Sequence, residues 1–277
     1  MNPLLSQLQP LFPRIQRIPR FNLRFLRLIF LPPFFCLMLL PPSLCLAAPV
    51  TFQSSETQTS LLELYTSEGC SSCPPAEKWL TGLKPSAGVW KDFVPVAFHV
   101  DYWDYLGWRD PWSSKTFTDR QHAYAGAWRS DSVYTPCFVV NGKEWRGWSR
   151  SQSVPASTTK PGVLRVTSAD LKTWDIVFAP TTASTEAYEA HAALLASGLT
   201  SDVKAGENKG RRLEHDFVVT RLLSCVLKSD GNKLQGKFEL TPGNSEPAKG
   251  SALVVWVTRP NQPEALQATG GWLPANP

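Results

Sequence analysis

The sequence predicts an α/β domain followed by a β-rich, sandwich-like subdomain. Three observations lead there. An apolar segment runs into a polar turn carrying Cys70-Ser71-Ser72-Cys73, then into Pro74-Pro75 and a helical stretch. Strand and helix patterns then alternate as far as Arg150. Beyond a Ser-, Thr- and Pro-rich stretch the pattern turns to short strands divided by Asp, Asn, Gly and Pro. The expected organisation is a signal peptide over 1–47, an α/β domain over 48–150, a linker over 151–161 and a β-rich subdomain over 162–277 packed on the first.

The leader comes first. Arg14, Arg17, Arg20, Arg24 and Arg27 precede an almost wholly apolar run from Leu28 to Leu46, which ends in Ala47-Ala48-Pro49. Basic, apolar and then small residues follow the order of a secretory signal, with cleavage expected after Ala47. Pro32, Pro33, Pro41 and Pro42 interrupt the run and favour a signal over an uncleaved membrane anchor. The expectation is an exported protein, periplasmic or secreted, free of the membrane once cleaved and anchored if not.

In the next segment Leu61 to Thr66 reads as a buried strand, and Pro74 to Leu83 as a helix tolerating proline in its first turn. Val94 to Val100 is a second strand, and an aromatic loop spans Asp101 to Trp112. Ser113 or Ser114 caps a helix reaching about Trp128. Then come Tyr134-Thr135-Pro136, a strand from Cys137 to Val140, a hairpin turn at Asn141-Gly142, and Lys143 to Trp148. After the linker, short strands are expected at Val163–Val166, Thr173–Phe178, Ala187–Leu194, His215–Thr220, Lys233–Leu240 and Leu253–Val257. The Gly- and Pro-rich stretch from Pro260 gives no pattern.

Charge excludes one class of partner. The chain has 28 basic and 23 acidic side chains, and the five leader arginines account for the whole excess. Nothing remains of the concentrated positive face that a nucleic-acid partner requires.

The cysteines suggest the chemistry. Removal of the leader takes Cys36 and Cys45 with it and leaves Cys70, Cys73, Cys137 and Cys225, an even count in an oxidising compartment. Cys70 at a helix start is favoured as a thiolate. The sharp reading is a redox pair, with Cys70 attacking, Cys73 resolving, and protein thiols or disulfides as partners. A permanent structural disulfide competes with it. Half of a zinc site is weaker, since no second CxxC or close His pair is present, and neither metal nor cofactor is expected. Cys137 and Cys225 read as an interdomain disulfide, two buried thiols, or a second redox partner, with the crosslink preferred.

The chain is also similar to a known family. The segments 65–77 (YTSEGCSSCPPAE), 99–114 (HVDYWDYLGWRDPWSS), 117–125 (FTDRQHAYA), 133–142 (VYTPCFVVNG) and 206–219 (GENKGRRLEHDFVV) resemble the domain of unknown function 1223 family of exported, thioredoxin-like proteins. That resemblance implies a thioredoxin-like α/β domain with a β-rich companion, and an exchange reaction on protein cysteines. It implies that Pro136 is cis and that Thr135 presents backbone groups to a substrate. Thioredoxin carries a buried carboxylate six positions before its first cysteine, where this chain has Leu64. Proton transfer is therefore expected from Glu68, His99 or Asp101. The bland reading of His99 and Asp101 is a hydrogen-bonded strand end; Glu207, Arg211 and His215 read as a separate site or, in the preferred reading, as a turn-stabilising network. The competing function is a non-catalytic binding or scaffold protein with a locked CxxC.

Overall fold

The structure, a computed structural model, describes residues 48–151, 153–182, 187–240 and 249–274. The expected signal peptide, with Cys36 and Cys45, lies outside the described residues.

A short strand β1 (Val50–Gln53) precedes β2 (Ser60–Thr66), every residue of which is buried. The cysteine turn leads into α1 (Pro74–Thr81), and β3 (Phe93–His99), also wholly buried, returns parallel to β2 with Leu64 opposite Ala97. The aromatic loop ends at Ser114, whose hydroxyl accepts from the Thr116 N–H at 3.3 Å and caps α2 (Lys115–Trp128). β4 (Cys137–Val140) runs antiparallel to β2. Asn141 and Gly142, at φ 46° and 83°, make the left-handed turn into β5 (Lys143–Glu144). The Thr135–Pro136 peptide bond is cis.

The second half supplies β6 (Gly162–Ser168), β7 (Thr173–Pro180), β8 (Tyr188–Ser197), β9 (Leu199–Asp202) and β10 (Arg212–His215). β11 (Val218–Asp230), β12 (Lys233–Glu239), β13 (Gly250–Thr258) and β14 (Gln267–Trp272) follow. Among the described residues, two α-helices stand against fourteen strands, twelve of which share one mixed sheet. The thioredoxin-like α/β class expected from the sequence is therefore corrected to a predominantly β fold.

The physical reason lies in β11. At its start Val218 pairs in parallel with Ala97 of β3, its middle pairs with β8, and its far end pairs with β12. The strands around the cysteine turn thus continue into those of the second half. β8 and β13 bury both faces. Ala193, Leu195, Val254 and Trp256 pack with Leu64, Phe98 and Phe138, while Ala192, Leu194, Val255 and Val257 pack with Ile176 and Phe178. Successive side chains point to opposite faces, so Ala192–Ala196 of β8 and Ala252–Val257 of β13 read as unbroken apolar runs.

β14 escaped the sequence reading because its centre is Gly270-Gly271. A Cβ at Gly270 would lie 2.5 Å from the Leu253 carbonyl oxygen, and one at Gly271 would lie 2.4 Å from the Phe52 ring. Close approach selects glycine here and removes the usual strand signal.

A buried ion pair fastens α2 to the sheet. Glu63 on β2 is wholly enclosed; Arg120 Nε and Nη2 donate to its oxygens at 2.8 and 3.0 Å, and Tyr65 adds a bond at 2.9 Å. We expect Arg120→Leu to destabilise the fold by about 3–5 kcal/mol in urea unfolding, because it strands a buried carboxylate. Adding Glu63→Gln should restore part of the loss.

Candidate functional site

The cysteine turn is shaped by the helix that follows it. Cys73 is the N-cap of α1, and Pro74 and Pro75 occupy first-turn positions where an absent N–H removes no helical bond. The Cys70 N–H donates to the Ser67 carbonyl at 3.1 Å, and the Cys73 N–H to the Cys70 carbonyl at 3.2 Å. Cys70 Sγ lies 3.2 Å from Ser72 Oγ and 3.8 Å from the Thr135 carbonyl oxygen. Hydrogen bonding from Cys73, with help from Ser72 and Thr135, outweighs burial and lowers Cys70 to about 6. Burial, and then the neighbouring Cys70, push Cys73 well above the ordinary thiol value. At neutral pH the pair is one thiolate beside one thiol, and both are unbridged.

Neither cysteine is exposed to solvent (0% each). Trp103 packs its Cβ against Gly69, and its indole N–H donates to Thr135 Oγ1 at 2.8 Å. The connection between β9 and β10 closes the other side. Asn208 Nδ2 donates to the carbonyls of Glu68 and Cys70 at 2.8 and 2.9 Å. The Glu207 carboxylate accepts from the N–H and hydroxyl of exposed Ser71 at 2.9 and 2.8 Å. The loop bearing Glu207 and Asn208 is thus a cover held by four hydrogen bonds.

Close to the turn is a buried cluster of two histidines and three carboxylates. Thr66 donates to Glu77 Oε1 at 2.6 Å. The other Glu77 oxygen meets His215 Nδ1, and His215 Nε2 lies 2.9 Å from Glu68 Oε1. Trp108 Nε1 donates to Glu68 Oε2 at 2.7 Å. His99 Nδ1 lies 2.7 Å from Asp110 Oδ2, and the two imidazole rings stand edge to face with centroids 5.1 Å apart. Burial alone would lower His215, but the Glu77 charge and bonds to both glutamates raise it to about 10. Burial likewise opposes ionisation of Glu77 and Asp110, yet His215 and His99 respectively hold each below the usual carboxylate range.

The sequence-predicted residues divide in two. Cys70, Cys73, Thr135, Glu68 and His99 meet in this region, with Pro136 following Thr135. Asp101 does not; it accepts from Thr118 at 2.5 Å at the end of β3. Glu207 goes to the cover, Arg211 to Asn208 at 2.7 Å, and His215 to the cluster, so those three form no common site. Cys137 and Cys225 are not brought together. Both are free, Cys137 in the core with β2 and Cys225 against the core of β6 and β7, so the crosslink preferred from the sequence is corrected to two separate thiols. Burial pushes Cys137 up to about 12.

Sequence reasoning missed Glu77 and Asp110. A signal for Glu77 existed: it lies on the same α1 face as Ala76 and Leu80, and a glutamate on an apolar helical face needs a partner. Asp110, inside an irregular loop, gave none.

A protein family described as "Protein of unknown function (DUF1223)" matches residues 61–258. No curated protein matches the chain. Two solved structures resemble it. The Agrobacterium tumefaciens protein AGR_C_4864 has 24% identity and a TM-score of 0.53, over 80% of this chain and 97% of that one. HBP35 of Porphyromonas gingivalis has 14% identity and a TM-score of 0.51, over 79% and 76% respectively. At such identities the likeness concerns the fold alone.

Two outcomes follow from the geometry of the thiol pair. Alkylation of reduced Cys70 by iodoacetamide should accelerate as pH rises through about 6 and then level off, because the thiolate is the reacting form. Asn208→Ala should raise the rate at every pH by about tenfold, since losing two bonds worth about 0.5–1.5 kcal/mol each makes opening of the cover more frequent. Mass spectrometry of the labelled peptide reads both.

Proposed function

The chain belongs to this family of proteins of unknown function, and we propose that it carries out thiol–disulfide exchange on protein cysteines. The observation that carries the reading is the placement of the pair: Cys73 caps α1, and Cys70 lies in the turn ahead of it with its sulfur 3.2 Å from Ser72 Oγ and 3.8 Å from the carbonyl preceding cis Pro136, so that local hydrogen bonds lower Cys70 while burial raises Cys73. Environments that drive two titratable groups apart are those that assign distinct chemical roles.

Cys70 thiolate attacks one sulfur of a substrate disulfide, forming a mixed disulfide and releasing the other substrate sulfur as a thiolate. Cys73 then loses its proton and attacks Cys70 Sγ. The second substrate thiol departs, leaving Cys70 and Cys73 joined and the substrate reduced by two electrons. The same steps in reverse oxidise a substrate dithiol. A cleft of about 300 Å³ lined by Tyr134, Pro136, Phe138, Trp145, Arg146 and Trp148 begins one residue from Thr135 and offers a place for one substrate side chain beside the turn. The arginine-led apolar leader supports an exported setting, where protein disulfides are common.

The complete burial of both cysteines favours a second reading, a structural thiol pair in a binding or scaffold protein. One experiment separates them. Cys73→Ser removes the resolving sulfur, so exchange predicts mixed disulfides through Cys70 on non-reducing gels after acid quenching and thiol blocking. They should vanish in the Cys70→Ser/Cys73→Ser double variant. Folded Cys73→Ser protein with no Cys70-linked adduct, even with a disulfide-containing test peptide in excess, leaves the structural reading.

A further inference from the structure

The buried cluster beside the thiols has the donor set of a metal site. We propose that Glu77, His99 and His215 bind one divalent zinc-type cation, with Asp110 and Glu68 orienting the two imidazoles. The ligand atoms of the three residues all lie within 4.8 Å of one another, and all three side chains are buried. Tetrahedral zinc with bonds of about 2.0–2.2 Å requires small movements in both directions: His215 Nδ1 and Glu77, now in direct contact, part to admit the ion while the wider separations close.

The strongest observation concerns His99. Its Nδ1 is taken by Asp110 at 2.7 Å, while its Nε2 is fully buried and has no hydrogen-bond partner among the described residues. An orphaned imidazole nitrogen at 0% exposure should be destabilising, yet this one belongs to the ring that stands 5.1 Å from His215. A cation there would satisfy it.

The carboxylates behind the rings point the same way. Ligating histidines almost always hold a carboxylate, carbonyl or water on their second nitrogen, which fixes the tautomer and raises basicity. Here Asp110 backs His99, and Glu68 backs His215 through Nε2 at 2.9 Å. That leaves His215 Nδ1 facing Glu77, and a metal ion would enter between them, displacing the imidazole proton to solvent. Thr66 holds the other Glu77 oxygen at 2.6 Å.

Charge also fits. Three carboxylates are gathered in the interior, and among the described residues their ion-pair partners are the two histidines and no lysine or arginine, so an ion that displaces the imidazole proton still meets an excess of negative charge. Two histidines and one glutamate leave a fourth position open, the composition of zinc sites that keep a water or a further ligand. Imidazole and carboxylate together select zinc-type ions over calcium and magnesium, which take oxygen donors. The assignment does not rest on the thiol chemistry proposed above, and the test excludes those sulfurs.

The experiment uses the full chain carrying Cys70→Ser and Cys73→Ser, so that the neighbouring dithiol cannot bind the probe. The protein is refolded with or without zinc chloride, desalted, and assayed for metal by atomic emission. The result expected is one zinc per chain, with two imidazoles and no sulfur in the X-ray absorption spectrum at the zinc edge. His99→Gln in that background should weaken zinc binding by more than a hundredfold, and Asp110→Asn by about 10–100-fold. Circular dichroism confirms that each variant is folded. Folded double-serine protein that retains no zinc, a zinc shell with fewer than two imidazoles, or undiminished affinity in folded His99→Gln overturns the proposal. Should His99→Gln fail to fold, the absorption spectrum of the double-serine protein decides alone.

Discussion

His215 holds the site together. Its two ring nitrogens face Glu77 on α1 and Glu68 in the turn before Cys70, while its own strand β10 belongs to the second half of the chain. A single imidazole thus ties the helix carrying the thiols, the turn presenting them and the hairpin covering them. Its ionisation is sustained by the two glutamates against the effect of burial. An imidazole unable to donate on both nitrogens would leave at least one buried carboxylate unmatched, a far greater loss than that of one ordinary hydrogen bond.

The same construction explains how the pair can be acidic and enclosed at once. Cys70 owes its thiolate character to short-range donors, chiefly Cys73, and not to solvent. A cover can therefore close over it without restoring the proton. The cover is anchored unequally: Asn208 bonds are buried, whereas the Glu207 contacts to Ser71 are at the surface. Opening would begin at the exposed edge, where charge–dipole contacts are weakest in water.

Much of the local structure was legible in the sequence because its causes are local. The Ser114 cap, the first-turn prolines of α1 and the Asn141-Gly142 turn each act within a few residues, and the strands and helices they delimit fall close to where the pattern puts them. The fold class was not legible. It is decided by the meeting of Val218 with Ala97, and no local preference reports a pairing across so long a separation. The site divides likewise. Cys70 and Cys73 announce themselves by spacing, but Glu77, His99, Asp110 and His215 come from a helix, a strand end, an irregular loop and a hairpin. Only packing reveals them as one cluster. Cys137 and Cys225 show the converse: an even cysteine count suggested a bond, and two different cores keep the sulfurs apart.

The central claim is that the enclosed thiols are poised for exchange and not locked. The reduction potential of the Cys70–Cys73 pair, measured by equilibration in glutathione or dithiothreitol buffers with the covalent state read by thiol labelling, tests it most directly. The account predicts a value above about −300 mV, in the range of exchanging dithiols. A value below that limit, or a pair that never interconverts while the protein stays folded, would contradict it.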